Sequence, residues 1–208
     1  MINNIKRSYF LKIFRAADKK YGRLEKRLAA DGWPAAWQTL IATIMSAQSR
    51  DETTIPIAEN LFTKYPDIEK LAVANYKDVL EIFKSLNYNK TKAKHVIGAA
   101  KYILENFGGV VPEKIEKLTE IPGVGRKTAN IVRVEVHGRH AIPVDTHVHR
   151  ISNVLGFVNT KTPEQTEQEL MKLVPKKLWG KVNRIFVLWG KDVAGKDKKK
   201  LLRQIGLA

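Results

Sequence analysis

Residues 121–130 read IPGVGRKTAN: two glycines two apart, a pair of cations, and then residues that suit a helix. A tight turn between helices needs either positive φ or a backbone unshielded by Cβ, and glycine supplies both. The amides of residues 123–127 are expected among the donors left unpaired where the next helix begins, and such donors make a ready anion site. Arg126 and Lys127 then stand at the positive end of a helix dipole, where a cation is unfavourable. Two explanations fit: an anion docks there, or the lysine is placed to lose its proton easily. Crowding by Arg126 and the helix end disfavours the protonated amine, and a neutral amine is a nucleophile able to form a Schiff base. Taken alone, Gly-x-Gly serves an ordinary helix–helix turn equally well, and Lys127 serves equally well as a charged phosphate contact.

Charge favours the anion. Lysine and arginine total 37 against 21 acidic residues, a formal net charge of +16, and the isoelectric point is about 9.9. An excess this large points to a polyanion, nucleic acid above all. The chain has 208 residues, 44% of them hydrophobic, enough for one large domain or two small ones sharing an interface. No stretch approaches the ~18–20 apolar residues of a membrane span. Tyr9, Ile13, Phe14 and Ala17 fall at helical spacing near the N-terminus, which reads as an amphipathic helix of the fold rather than a secretory signal or transit peptide. Cysteine is absent, which excludes disulfides, thiolate catalysis and any cysteine-held metal or iron–sulfur cluster.

Helical periodicity runs through the whole chain, and the expected fold is all-α. Helices are expected over 34–48 (with Pro34 at the first position), 50–65, 66–74, 75–86 (capped by Asn75), 90–109, 112–121, 125–138, 145–157 (capped by Asp145 or Thr146), 163–174 (capped by Thr162, with Gln165), 178–190 and 196–208. The connections are short, and neither an internal repeat nor a low-complexity linker is visible.

Eighteen residues beyond Lys127, in AIPVDTHVHR (141–150), stands Asp145, the only carboxylate between Glu135 and Glu164. Behind Ile142, Pro143 and Val144 it can stabilise a cationic sugar, take a proton or orient water; capping a helix is the plainer job for it. His147 and His149 lie two apart on a helix and therefore point different ways, a poor metal pair.

Together LTEIPGVGRKTANIV (118–132) and IPVDTHVHRISNVLGF (142–157) resemble the endonuclease III branch of the helix-hairpin-helix DNA glycosylases, with the likeness dense over about 34–175. The resemblance implies a DNA glycosylase with AP-lyase activity. Lys127 would attack C1′ of the damaged nucleotide, and Asp145 would assist base departure and later proton transfers. Gln48, in IMSAQSRD, would fill the gap left by the flipped base, and Tyr88 stands where relatives carry an apolar wedge. The hairpin residues Gly123, Val124, Gly125, Arg126 and Thr128 would contact DNA. It also implies two helical lobes flanking a DNA-binding cleft. One is a six-helix barrel over 34–139, with the helix-hairpin-helix at about 112–138; the other is formed by 1–33 and 140–208. Lys127 and Asp145 would stand on facing walls.

Besides Tyr88 at the wedge position, one departure stands out. Relatives hold a [4Fe–4S] cluster with four cysteines near the C-terminus; here Ala194 stands about where the first would fall, so no cofactor is expected. The run KDKKK, with Lys196, Lys198, Lys199 and Lys200, is expected to supply basic charge to DNA instead, while Leu201, Leu202 and Ile205 pack a helix; a frayed basic tail is the alternative. The expected partner is double-stranded DNA bearing a damaged or mismatched base or an abasic site, met by a monomer in a prokaryotic cytoplasm, with organelle targeting as the alternative. Oxidised pyrimidines are the default substrate by resemblance. A glycosylase for thymine or uracil opposite guanine, and a non-catalytic DNA-binding protein, are the competing readings.

Overall fold

A computed structural model describes residues 2–207, with side chains from residue 4. Twelve α-helices and one 3-10 helix account for the regular structure among the described residues, and no strand occurs there. They fall into two compact units, Lys26–Arg139 and a second formed by both chain ends, Met1–Glu25 with His140–Ala208.

The middle unit is built around α2 (Ala36–Ser46), in which every residue from Trp37 to Met45 is buried. LIATIM is apolar but for Thr43, whose hydroxyl donates to the Thr39 carbonyl at 2.6 Å, and a helix with no exposed polar face belongs inside a bundle. Around it pack α3 (Asp51–Lys64), α6 (Asn89–Phe107) and α8 (Arg126–Glu135). The short helices α4 (Ile68–Ala72), α5 (Tyr76–Ile82) and α7 (Ile115–Leu118) complete the layer, α4 and α5 against α6 and α7 against α8. Asn75 caps α5 by accepting from the Lys77 amide at 2.8 Å, as its position in the sequence suggests. Pro34 does not begin α2. The helix starts two residues later, where the Gln38 side chain accepts from the Ala35 amide at 3.1 Å and holds the entry.

In the terminal unit, α1 (Ile2–Tyr21) buries Phe10, Ile13, Phe14, Ala17 and Tyr21, the stripe anticipated from its spacing moved by one residue at its start: Phe10, not Tyr9, is the fully buried ring. Phe10 meets Phe157 edge-on at 4.9 Å, and Phe186 meets Trp189 edge-on at 5.7 Å. This aromatic cluster joins α1 to the turn that follows α9 (Thr146–Val154) and to α11 (Trp179–Asp192), with α10 (Pro163–Leu173) and α12 (Lys198–Gln204) completing the unit.

One boundary differs from the sequence reading. Residues 26–33 were expected in the terminal unit but pack on the middle one: the Asp51 carboxylate accepts from the Ala29 amide at 3.1 Å, Arg27 pairs with Glu59 at 2.6 Å, and Trp33 meets Phe62 edge-on at 4.9 Å. Contacts that distant in sequence carry no local periodicity, so nothing in the 26–33 segment itself announces them.

Candidate functional site

The hairpin joins α7 to α8, and its two glycines serve different ends. Gly123 has φ +80°, and a Cβ there would lie 2.8 Å from the Cβ of His95 on α6. Pro122 packs 3.5 Å from where a Cβ on Gly98 would stand, so the turn lies flat against α6. Gly125 has an ordinary φ of −90°, and a Cβ there would meet nothing within 4 Å. No intramolecular demand makes residue 125 glycine; a ligand approaching the start of α8 would. Gly123→Ala is therefore expected to lower the thermal unfolding midpoint, by about 1–3 kcal/mol of stability. Gly125→Ala should melt like wild type yet bind duplex DNA more weakly. Calorimetry and fluorescence-anisotropy titration check the pair.

Not all hairpin amides are available to a ligand, contrary to the expectation for residues 123–127. The Val124 amide donates to the Ile121 carbonyl at 3.0 Å, closing the turn, and the Val124 side chain is buried. Thr128 is buried as well, whereas Gly125 and Arg126 are exposed. Gly125 is the N-cap of α8 and offers no capping side chain; the first intrahelical bond runs from the Ala129 amide to the Gly125 carbonyl at 2.9 Å. Lys127 is the second residue of α8 and half-buried, whereas Gly125 and Arg126 ahead of it are exposed.

Asp145 belongs to the terminal unit. It caps α9: one carboxylate oxygen accepts from the Val148 amide at 2.8 Å, which settles the choice between Asp145 and Thr146. The chain ahead of it, Ala141 to Val144, is buried, and Asn183 of α11 donates to the Pro143 carbonyl at 2.8 Å. Apolar burial on one side and a helix start on the other leave the carboxylate half-exposed in a fixed orientation. His147 and Arg150 both feel its charge. Burial pushes the His147 imidazole and the Arg150 guanidinium down from their ordinary values, and in each case the Asp145 carboxylate opposes the shift. The His147 ring lies against Gly190, where a Cβ would come within 2.8 Å of the His147 Cβ, while His149 Nδ1 bonds Thr166 Oγ1 at 2.7 Å. The two imidazoles thus serve different neighbours. Among the described residues no group of His, Asp and Glu is arranged to hold a metal ion.

Gln48 and Tyr88 return to the middle unit. Both are exposed, and among the described residues they are the only non-glycine residues at positive φ, +54° and +56°. An L-residue in that region costs about 1–2 kcal/mol, and such strain collects where a side chain must be aimed at something. Gln48 lies in the α2–α3 loop, and Tyr88 ends the α5–α6 loop as the N-cap of α6. Between them run two bonds that sequence reasoning missed: Asn87 Nδ2 donates to the Gln48 carbonyl at 2.7 Å, and Lys92 Nζ donates to Ser49 Oγ at 2.7 Å. Lys92 is only 4% exposed, and burial pushes its amine down to about 8. A signal was available, since Lys92 falls in register with Val96, Ala99 and Ile103 on the buried stripe of α6.

The C-terminal segment is a folded helix, not a frayed tail. Asp197 caps α12 by accepting from the Lys200 amide at 3.1 Å, and Leu201 is fully buried; Leu202 and Ile205 are partly so. Lys196, Lys198, Lys199 and Lys200 are exposed, with Lys198 Nζ 5.5 Å from the Tyr9 ring centre. Arg150 donates to the carbonyls of Gly190 and Val193, at 3.1 and 2.9 Å, and to that of Gly195, fastening the end of α11 and the loop before α12. With no thiolate anywhere in the chain, this region lacks the donor set of an iron–sulfur cluster.

Residues 41–176 match the model of the HhH-GPD superfamily of base excision DNA repair proteins. Endonuclease III of Thermotoga maritima is 42% identical over 157 residues, covering 76% of this chain and 74% of that protein. Endonuclease III of Synechocystis is 39% identical over 162 residues, covering 77% and 74%. A solved structure of a trapped endonuclease III–DNA covalent intermediate superposes with a TM-score of 0.83 at 27% identity, covering 89% of this chain and 86% of the other. A helix-hairpin-helix with a lysine at the second position of its second helix, on an all-helical frame, places the chain in the HhH-GPD superfamily of base excision DNA repair proteins.

Proposed function

We propose that the chain is a base-excision DNA glycosylase with AP-lyase activity that acts on duplex DNA, with Lys127 as nucleophile and Asp145 as its electrostatic and proton-transfer partner. The observation that carries this is the start of α8: a half-buried lysine one residue from Arg126, behind a glycine whose Cβ position is open. A backbone phosphate suits the exposed helix start and Arg126, and the flipped nucleotide suits the amine.

The chemistry follows in order. The target base leaves the stack, and Gln48 and Tyr88 occupy the space it vacates. Lys127 Nζ bonds C1′ as the glycosidic C1′–N bond breaks, and the base departs with the bonding electrons and takes up a proton. Asp145 stabilises the positive charge on the sugar while that bond lengthens. Ring opening yields an imine between Nζ and C1′. The imine acidifies C2′; loss of a C2′ proton expels the 3′ phosphate, which nicks the strand 3′ to the lesion. Water then hydrolyses the imine and returns the amine. No step requires a metal or cofactor. Oxidised pyrimidines are the proposed substrates.

Borohydride reduction during incubation with abasic-site duplex tests the reading directly: a stable protein–DNA adduct is expected, and a chain that only binds DNA gives none. A panel of oxidised-pyrimidine and mismatch duplexes then assigns the substrate class.

The basic end of the chain is assigned to binding phosphates. Because Leu201 is part of the core, truncation would damage the fold; replacing Lys196, Lys199 and Lys200 with serine leaves Leu201 and the Asp197 cap in place. The slope of log affinity against log salt is expected to fall by about one for each phosphate that no longer meets a lysine. An unchanged slope would leave these lysines without a role on DNA.

A further inference from the structure

We infer that Lys92 and Asn87 are positioning residues that lock the Gln48 and Tyr88 loop tips into a single wedge, so that both side chains enter the duplex together when the damaged nucleotide leaves it. The inference rests on the glycosylase reading above and adds to it the device that aligns the two loops.

The observations converge on one corner of the middle unit. The two strained non-glycine residues of the described chain belong to different loops, 40 positions apart, yet the loops are bonded to each other twice. Asn87, adjacent to Tyr88, holds the carbonyl of Gln48 itself; Lys92, one turn into α6, holds the hydroxyl of Ser49, adjacent to Gln48. Each loop is also pinned from beneath. The Ser49 amide donates to the Ser46 carbonyl at 3.0 Å, the Lys92 amide donates to the Tyr88 carbonyl at 3.0 Å, and Leu86, two residues before Tyr88, is buried. The tips are therefore exposed while their bases are fixed, which suits insertion into a stacked medium better than it suits solvent.

Lys92 is the telling residue. Its side chain crosses a stripe otherwise filled by Ala93, Val96, Ala99 and Ile103, and it makes no ion pair among the described residues; Ser49 is its one side-chain hydrogen-bond partner. An apolar residue there would avoid burying an amine with a single neutral acceptor. Burial lowers the amine to about 8, the mark of that unfavourable environment. It is too enclosed to reach DNA, so its role is exerted through Ser49. The gain is preorganisation: loops fixed beforehand lose less freedom on entering the duplex than loops ordered by it. The two tips are chemically distinct, an aromatic face that stacks on a neighbouring base and an amide that both donates to and accepts from the unpaired base opposite. The two functions require a set spacing between them, which the paired bonds provide. The same α6 carries His95 and Gly98 against the hairpin, so one rigid helix supports both the wedge and the turn before Lys127.

The test compares β-elimination on an abasic site in a duplex with that on an abasic site in a single-stranded oligonucleotide, which needs no wedge. For Lys92→Met the ratio of duplex to single-strand rates is expected to fall about tenfold or more, while the thermal unfolding midpoint stays level or rises. A 2-aminopurine beside a tetrahydrofuran site in the duplex is expected to lose most of the fluorescence change that wild type produces. Ser49→Ala should act in the same direction, and the double variant should be no worse than the more severe single one, since both break one bond. An unchanged ratio for Lys92→Met, or multiplicative effects of the two substitutions, would overturn the brace. So would a parallel fall on both substrates, which would mark a general loss of structure. Absence of elimination by wild type on either substrate would instead sink the glycosylase–lyase reading.

Discussion

Replacing Lys127 with methionine is expected to abolish strand nicking at abasic sites and the borohydride-trapped adduct, a loss of about a thousandfold or more. Methionine keeps the length and the apolar stem of a half-buried lysine, so packing against the unit should survive. Stability should move by less than about 1 kcal/mol, since removing a cation from the first turn of a helix relieves a small repulsion. Lys127→Arg sharpens the result. Arginine keeps the positive charge but cannot lose its proton. If position 127 serves only to hold a phosphate, the arginine protein will nick as wild type does. If an amine must bond to C1′, the arginine protein will bind duplex DNA yet form no adduct. Gel separation of the reduced complex, with anisotropy as the binding control, distinguishes the two outcomes.

The second large effect is expected at Asp145, where two roles share one carboxylate. The structure shows it as the cap of α9, and the proposed chemistry needs its charge near a developing cation. Asparagine caps a helix about as well as aspartate. Asp145→Asn should therefore melt within about 0.5 kcal/mol of wild type while excising bases roughly a hundred- to ten-thousandfold more slowly. Asp145→Ala removes both roles and should lose about 1 kcal/mol of stability in addition. Single-turnover excision rates set beside thermal melts give the answer. An asparagine variant that retains the wild-type rate would leave Asp145 as a cap and nothing more.

Much of this was legible in the sequence because it is local. The order glycine, glycine, arginine, lysine defines a hairpin and the start of a helix without reference to anything distant. Asn75 and Thr162 cap the helices they precede, since a capping side chain needs only the amide two or three residues on. The all-helical class followed from periodicity alone. Contacts between distant segments left no such trace. The placement of residues 26–33 on α3 depends on Asp51 and Glu59, and the difference between Gly123 and Gly125 depends on His95. The available donors of the hairpin were overcounted for the same kind of reason: the Val124 amide is taken up by Ile121 only once the turn has closed.

By itself, the sequence determined the helical class, the hairpin, the excess of positive charge and the lack of any thiolate ligand. Each of these depends on residue type and short-range spacing. Only the tertiary structure decided that Gly123 is required by a neighbouring helix while Gly125 is not, that the C-terminal lysines ride on a packed helix, and that Lys92 and Asn87 tie two distant loops together. Those depend on which side chain fills which space, and packing of that kind exists only after the helices have docked.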